Sequence, residues 1–304
     1  MIDILGKRYW LFGLSLLIIV PGLILLAIGG MPLSIDFTGG TLLELNFTSA
    51  SPAPADILGI YESLQIKDAT VQTTDSGAFI IRSSFLDDSA REQVISKMET
   101  EFGDTTLLRY DSVGPAIGEQ VTSRAALAVG VAALAVIIYI VFTFRGIQHA
   151  ERYGLMAILA MVHDVAVVFS VAGIGAKLFG WEMDALFLTA LLTIIGFSVQ
   201  DKIVVFDRIR ENANILRRLP YETLVNHSIV QTLQRSINTQ LMTVEFLLLA
   251  LALFGGVTLQ EFAVILLVGL LSGTYSSIFI AAPLLVVWET QEWKNWFGRK
   301  KVSA

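Results

Sequence analysis

Long apolar runs recur along this chain, and each is long enough that only a bilayer can solvate it. They lie at residues 10–28, 125–144, 154–176, 185–206, 241–257 and 262–288, each near the roughly 20 residues that carry a helix across about 30 Å of hydrocarbon. With 54% hydrophobic and 16% charged residues, the chain is too apolar for an ordinary soluble protein. An even number of spans returns both ends to one side. Lys7 and Arg8 ahead of the first run raise the possibility of a signal peptide. No small-residue cleavage site follows, however, and Trp10 reads as an interfacial anchor.

Basic residues orient the spans. Lys7 and Arg8, then Arg145 and Arg152, then Arg208, Arg210, Arg217, Arg218 and Arg235, and finally Lys294 to Lys301 fall on one side. The short loops opposite carry Lys177. By the positive-inside rule both termini are cytoplasmic and residues 31–122 lie outside. The absence of cysteine fits a domain in an oxidising compartment without disulfides and many other settings besides. The net charge of −6 arises mainly in the external segment, which argues against nucleic acid as a partner. The basic tail beside Trp293 and Trp296 serves as a topology signal and suits anionic lipid headgroups.

In the external segment the pattern changes. Residues 41–48 alternate as a strand, 54–64 have helical spacing, and 69–74 and 78–84 flank the turn signal Asp75-Ser76-Gly77. Residues 88–102 then read as an amphipathic helix ending at Gly103, and 105–110 as a last strand. The order β-α-β-β-α-β predicts a small ferredoxin-like α+β domain with two helices on one face of an antiparallel sheet. It holds no His or Cys, and its carboxylates fall mostly on helices and turns where solvated faces are expected. That points to binding or mechanical work, not catalysis.

An ionisable side chain inside a span costs about 3 kcal/mol or more unless paired or hydrated, so each is a functional candidate. His163 and Asp164 come nine and ten residues after Gly154, near the middle of the third run. Ser198, Gln200, Asp201 and Lys202 lie toward the cytoplasmic end of the fourth, and Asn238, Gln240 and Glu245 enter the fifth. A polar seam between spans three, four and five satisfies them all. It reads either as a proton or ion relay or as hydrogen bonding that fixes the bundle. His163 with Asp164 is alternatively a simple hydrogen-bonded pair, and Lys202 alternatively snorkels to the interface. No metal site is expected, because the remaining histidines, His149 and His227, lie in connecting segments. Gly269 and Gly273, with Ser272, Ser276 and Ser277 nearby, permit close helix approach in the last span. The charged connection at 207–235 reads as a helix lying along the membrane surface.

Several of these segments resemble the SecF branch of the SecD/SecF family of bacterial protein-export subunits. Ile35-Asp36-Phe37-Thr38-Gly39-Gly40-Thr41 resembles the family's lead-in to the periplasmic domain, and Val113-Gly114-Pro115-Ala116-Ile117-Gly118 its exit. His163-Asp164-Val165 is similar to the third-span motif, GFSVQDKIVVFDRIREN at 196–212 to the end of the fourth span, and Gly273-Thr274-Tyr275-Ser276-Ser277-Ile278 to the sixth. Such a resemblance implies a non-enzymatic subunit of the bacterial inner membrane, without cofactor or metal. With SecD it would use the proton motive force to draw unfolded preproteins through SecYEG, with YajC and SecA as indirect partners. Related pairs in some bacteria are thought to use sodium. Asp201 matches the family's transmembrane carboxylate, whereas Lys202 stands where a Thr is usual. Thr243 stands where the family usually carries an Arg, and Lys202 would supply the positive charge that this Arg would have provided, with Glu245 as a further acid.

The expected division is 1–30, the cytoplasmic N-terminus and first span; 31–122, the periplasmic domain; 123–206, spans two to four; 207–236, a cytoplasmic amphipathic connection; 237–288, spans five and six; and 289–304, the basic tail. The chain is thus expected to be a polytopic α-helical membrane protein of six spans. The rival reading is a half-transporter of the resistance-nodulation-division (RND) type for a lipid or small molecule, against which the small external domain speaks. An intramembrane enzyme would need a nucleophile with its base or a complete metal site, and the sequence offers neither.

Overall fold

The computed structural model describes residues 3–48, 52–74, 77–145, 150–239, 246–254 and 256–296. In chain order the elements are α1 (Arg8–Gly29), α2 (Ile35–Thr38), β1 (Gly40–Phe47), α3 (Pro54–Ser63), β2 (Thr70–Thr73), β3 (Phe79–Ser83), α4 (Asp88–Phe102) and β4 (Thr105–Val113). There follow α5 (Pro115–Thr143), α6 (Ala150–Phe179), α7 (Ala185–Ile215), α8 (Tyr221–Ser236), α9 (Phe246–Phe254), α10 (Gly256–Ser276), α11 (Ala282–Glu289) and α12 (Trp293–Trp296). The chain divides into two compact units, one of Met1–Pro32 with Ala128–Ala304 and the other of Leu33–Leu127.

The Leu33–Leu127 unit is built on a four-stranded antiparallel sheet in the order β2-β3-β1-β4. Alternate residues of β1, namely Leu43, Leu45 and Phe47, and of β3, Phe79 and Ile81, face one core with Ile57, Ile60 and Tyr61 of α3 and Val94 and Met98 of α4. Local chemistry sets the helix starts: Pro54 occupies the first turn of α3, and the Asp87 carboxylate accepts from Ala90 N at 2.7 Å ahead of α4. Gly103, at φ 85°, ends α4. The elements fall where the sequence places them, except that β4 runs on to Val113 and a one-turn helix, α2, precedes β1. Residues 75–76 of the hairpin turn lie outside the described residues.

Two glycines open the sheet. Gly39 and Gly40 have φ 72° and 141°, where an L side chain is strained. Space forbids one too: a Cβ on Gly39 would lie 2.9 Å from Pro115 Cα, and one on Gly40 would lie 2.7 Å from Ser83 O. Gly118 in the first turn of α5 completes the contact, since its Cβ would be 2.5 Å from Gly39 N. The two motifs that flank this unit in sequence therefore meet in space.

The other unit is helical. Among the described residues five helices are long and apolar enough to cross a membrane: Leu5–Gly29, Pro115–Thr143, Ala150–Phe179, Ala185–Ile215 and Leu259–Glu289. The protein is therefore a multi-pass membrane protein. Of the apolar run at 241–257, α9 covers Phe246–Phe254, while 240–245 lie outside the described residues. The connection at 207–236 is divided: α7 continues to Ile215, and α8 packs against it through Leu224, Val225 and Ile229.

Small residues bring α1 onto α6. Ser170 Oγ donates to Ile18 O at 2.6 Å, and a Cβ on Gly22 would lie 2.1 Å from Ser170 O. At one end of the unit Arg8 joins Glu222 and Glu292, the latter at 2.7 Å, and Asn226 Oδ1 accepts from Ile4 N at 3.0 Å. Partial burial acts to raise the Glu292 pKa, but hydrogen bonds from Tyr9, Arg8 and Thr290 outweigh it and hold the carboxyl below its ordinary range.

Candidate functional site

The third apolar run becomes α6, and His163 and Asp164 sit within it, where α6 packs against both α7 and α10. Asp164 is fully buried, so its charge persists only if neighbours replace water. Both oxygens are served. Oδ1 accepts from Ser272 Oγ at 2.8 Å and meets His163 Nδ1 at 3.1 Å. Oδ2 accepts from Ser198 Oγ at 2.6 Å, Ser276 Oγ at 2.7 Å and Lys202 Nζ at 2.7 Å.

Lys202 is also fully buried. Helical side chains lean toward the N-terminus of their helix, so Lys202 reaches back over the preceding turn of α7. There its ammonium donates to Ser198 O at 2.7 Å and Ser198 Oγ at 2.6 Å as well as to Asp164. All three ammonium protons thus have oxygen acceptors. It does not snorkel.

The third wall comes from α10. Gly269, Ser272, Gly273 and Ser276 recur at helical spacing and so share one stripe. A Cβ on Gly269 would lie 2.1 Å from Ile194 Cδ1, and one on Gly273 would touch Ser198 Cα at 3.4 Å. The missing side chains let α10 approach α7 closely enough for the two serine hydroxyls to reach Asp164. Directly after Ser276 the chain takes a π-helical turn, Ser277–Ala281, before Pro283 in the first turn of α11. Proline has no N–H and its ring needs room at the carbonyl four residues back, which the wider turn provides.

A second polar path leaves the cluster through His163. Its ring stacks on Tyr275 with centroids 6.2 Å apart. Tyr275 Oη donates to Leu11 O at 2.9 Å and accepts from Ser15 Oγ at 3.3 Å, both on α1.

Of the residues singled out in the sequence, the structure gathers His163, Asp164, Ser198 and Lys202. Asp201 is buried on α7, but the direct ion pair of Lys202 is with Asp164. Adjacent residues on a helix diverge by about 100° and face different neighbours. Asn238 is exposed beyond α8, and Glu245 lies outside the described residues. Among the described residues the third and fourth runs, as α6 and α7, meet the sixth, as α10, in this cluster; the seam expected with the fifth run rests on Gln240 and Glu245, which lie outside the described residues. Ser272 and Ser276, which the sequence offers as packing residues, bind Asp164 directly. Their signal was present in the sequence as two hydroxyls one turn apart on the glycine stripe.

Comparison with known proteins places this arrangement. The family described as "Protein export membrane protein SecD/SecF, C-terminal" matches residues 93–291, which include all three helices of the cluster. The "SecD/SecF GG Motif" matches residues 24–50, with Gly39 and Gly40 inside it.

The chain belongs to the SecD/SecF family.

Within that family it is 64% identical to the "Protein translocase subunit SecF" of Anaerolinea thermophila, covering 100% of both chains. It is 44% identical to that of Thermobaculum terrenum, over 100% of this chain and 99% of the relative. The crystal structure of SecDF, described as a translocon-associated membrane protein from Thermus thermophilus, superposes with a TM-score of 0.81 at 35% identity. That match covers 95% of this chain and 39% of the SecDF chain. Within the matched segment Gly39 and Gly40 combine positive φ with close backbone contact, which a side chain at either position would break.

Proposed function

We propose that this chain is the SecF-like subunit of the Sec translocon accessory complex, working with SecD to promote preprotein export through SecYEG at the expense of the proton motive force. The observation that carries the ion-coupling reading is the buried Asp164–Lys202 pair with its serine shell. A charge pair at the junction of three helices is an element whose two arrangements differ in energy when a proton enters or leaves. Asp201, buried one position before Lys202, is the family's carboxylate and the proton-responsive group of this reading. His163, Asp164 and Lys202 pass that change to α10 through Ser272 and Ser276. Glu245 and Asn238 are further candidates for the coupling path in this reading, and Gly269 and Gly273 hold the helices close.

The topology that goes with this function has six spans, the fifth at the apolar run 241–257, in the bacterial inner membrane with both termini cytoplasmic. The sequence division into spans, the periplasmic domain at 31–122, the cytoplasmic connection at 207–236 and the basic tail at 289–304 is retained. Strand order β2-β3-β1-β4 supports a ferredoxin-like periplasmic domain, which handles the emerging unfolded preprotein. SecD is the direct partner, a relationship supported by the fused SecDF of Thermus thermophilus, of which this chain covers 35%. SecYEG is the channel, YajC and SecA act indirectly, and anionic lipid holds the tail. The subunit is not an enzyme and needs no cofactor.

The test is preprotein transport into inverted inner-membrane vesicles containing SecYEG, SecD and this chain. An imposed proton gradient is expected to accelerate completion of transport, and Asp201→Asn and Asp164→Asn to remove that acceleration while leaving ATP-driven initiation by SecA intact. Equal acceleration with and without this chain would reject the reading. Replacing sodium by potassium in the same vesicles identifies the coupling ion.

A further inference from the structure

The oxygens around Lys202 Nζ have the chemistry of a metal-cation site. They are one carboxylate oxygen, one main-chain carbonyl and one hydroxyl, at 2.7, 2.7 and 2.6 Å. Hard cations take this mixture of ligands. Ser276 Oγ lies on the same carboxylate oxygen at 2.7 Å and Ser272 Oγ on its other oxygen at 2.8 Å, so two further hydroxyls border the carboxylate that Lys202 meets. The direct donor set contains one carboxylate, which balances one positive charge and leaves a divalent ion half neutralised. The occupant is thus matched in charge and in ligand type to an alkali cation such as sodium, yet it arrives on a side chain.

We propose that the Asp164–Ser198–Ser272–Ser276 cluster is a monovalent-cation site in which Lys202 is a tethered occupant, and that shortening Lys202 opens it to sodium. In the native chain the cluster then neither requires nor exchanges sodium at this position. A residue on α7 thereby decides whether the junction of α6, α7 and α10 is held by a fixed charge or by an ion from solution. This inference rests on the cluster's geometry and not on the export reading, so the two fail separately: this one in sodium binding by the purified chain, the other in vesicle transport.

The experiment compares the full chain purified in detergent with Lys202→Ser, Lys202→Met and Asp164→Asn/Lys202→Ser. Each is melted in sodium chloride and in choline chloride at matched ionic strength. The native chain is expected to melt alike in both salts. Lys202→Ser is expected to melt lower in choline and to recover with sodium, by roughly 2–3 °C for each tenfold rise in sodium above its dissociation constant. Lys202→Met fills the space with an apolar chain, and the double variant lacks the carboxylate, so neither is expected to respond. Radioactive sodium binding at about one ion per chain in Lys202→Ser alone would be the direct counterpart. The proposal is overturned if Lys202→Ser gains nothing specific from sodium, including the case in which it is unfolded in both salts. An equal gain in Lys202→Met or in the double variant overturns it as well.

Discussion

The two units of this molecule solve the same problem, holding helices and strands in register, with opposite chemistry. The Leu33–Leu127 unit closes over an apolar core of β1, β3, α3 and α4 residues, as expected where burial removes carbon from water at about 25 cal/mol per Å². The helical unit presents apolar side chains outward, among them Trp10, Leu17, Phe142 and Phe179, and buries Asp164, Lys202, Ser198 and Ser276. Lipid is as apolar as leucine, so burial of leucine distinguishes one helix arrangement from another only weakly. Hydroxyls, a charge pair and glycine contacts do that work instead. The difference teaches that polar residues in the membrane unit specify which helices meet, whereas in the other unit the apolar pattern does so.

Lys202→Met gives the sharpest break in that comparison. Leaving Asp164 buried without its partner is expected to cost about 3–5 kcal/mol, whereas Asp164→Asn/Lys202→Met regains much of it. Thermal melts of single and double variants in detergent decide; equal losses would mean that the charges do not act as a pair. In the apolar core Leu45→Ala is expected to cost about 2–5 kcal/mol by leaving a cavity, with no rescue from a second truncation. Gly269→Leu drives side-chain atoms into Ile194 and is expected to cost about 1–3 kcal/mol while loosening α10, readable as faster hydrogen exchange there.

Smaller effects sharpen the contrast. The buried Tyr61 hydroxyl has no hydrogen-bond partner among the described residues, and burial pushes its pKa up. Tyr61→Phe is therefore expected to leave stability unchanged or raise it by about 1 kcal/mol in urea or thermal unfolding. Lowest in size is the Arg8–Glu292 contact. Because the folded Glu292 carboxyl sits below its ordinary value of 4.5, its contribution is fully present above that pH and fades as pH falls through the folded value. Melting temperature against pH from 6 to about 3 should fall less steeply in Glu292→Gln than in the native chain.

Much of the fold was legible in the sequence because each signal was local. Apolar length announces a span, alternation announces a strand, and Asp87 and Gly103 mark the two ends of α4 within a few residues of themselves. His163-Asp164 was also visible, since an ionisable pair inside an apolar run is unusual whatever surrounds it. What could not be read was pairing between helices. A periodic pattern states which residues share a face but not which helix that face meets, so the bonds from Ser272 and Ser276 of the sixth run to Asp164 were not legible. Lys202 was ambiguous for the same reason. Its four-carbon stem can reach outward to water or back over Ser198, and the outcome depends on Asp164, 38 residues away in the chain.

The enclosed pair between α6 and α7 also limits how this sequence can change over time. Substituting either residue alone passes through a protein with a lone charge sealed in its interior, so Asp164 and Lys202 are constrained to be gained, lost or exchanged together. A lineage can escape that coupling through an intermediate in which something mobile takes the vacated place. The residue at 202 would then record, in each descendant, whether the junction of these helices depends on its own chain or on the salt around it.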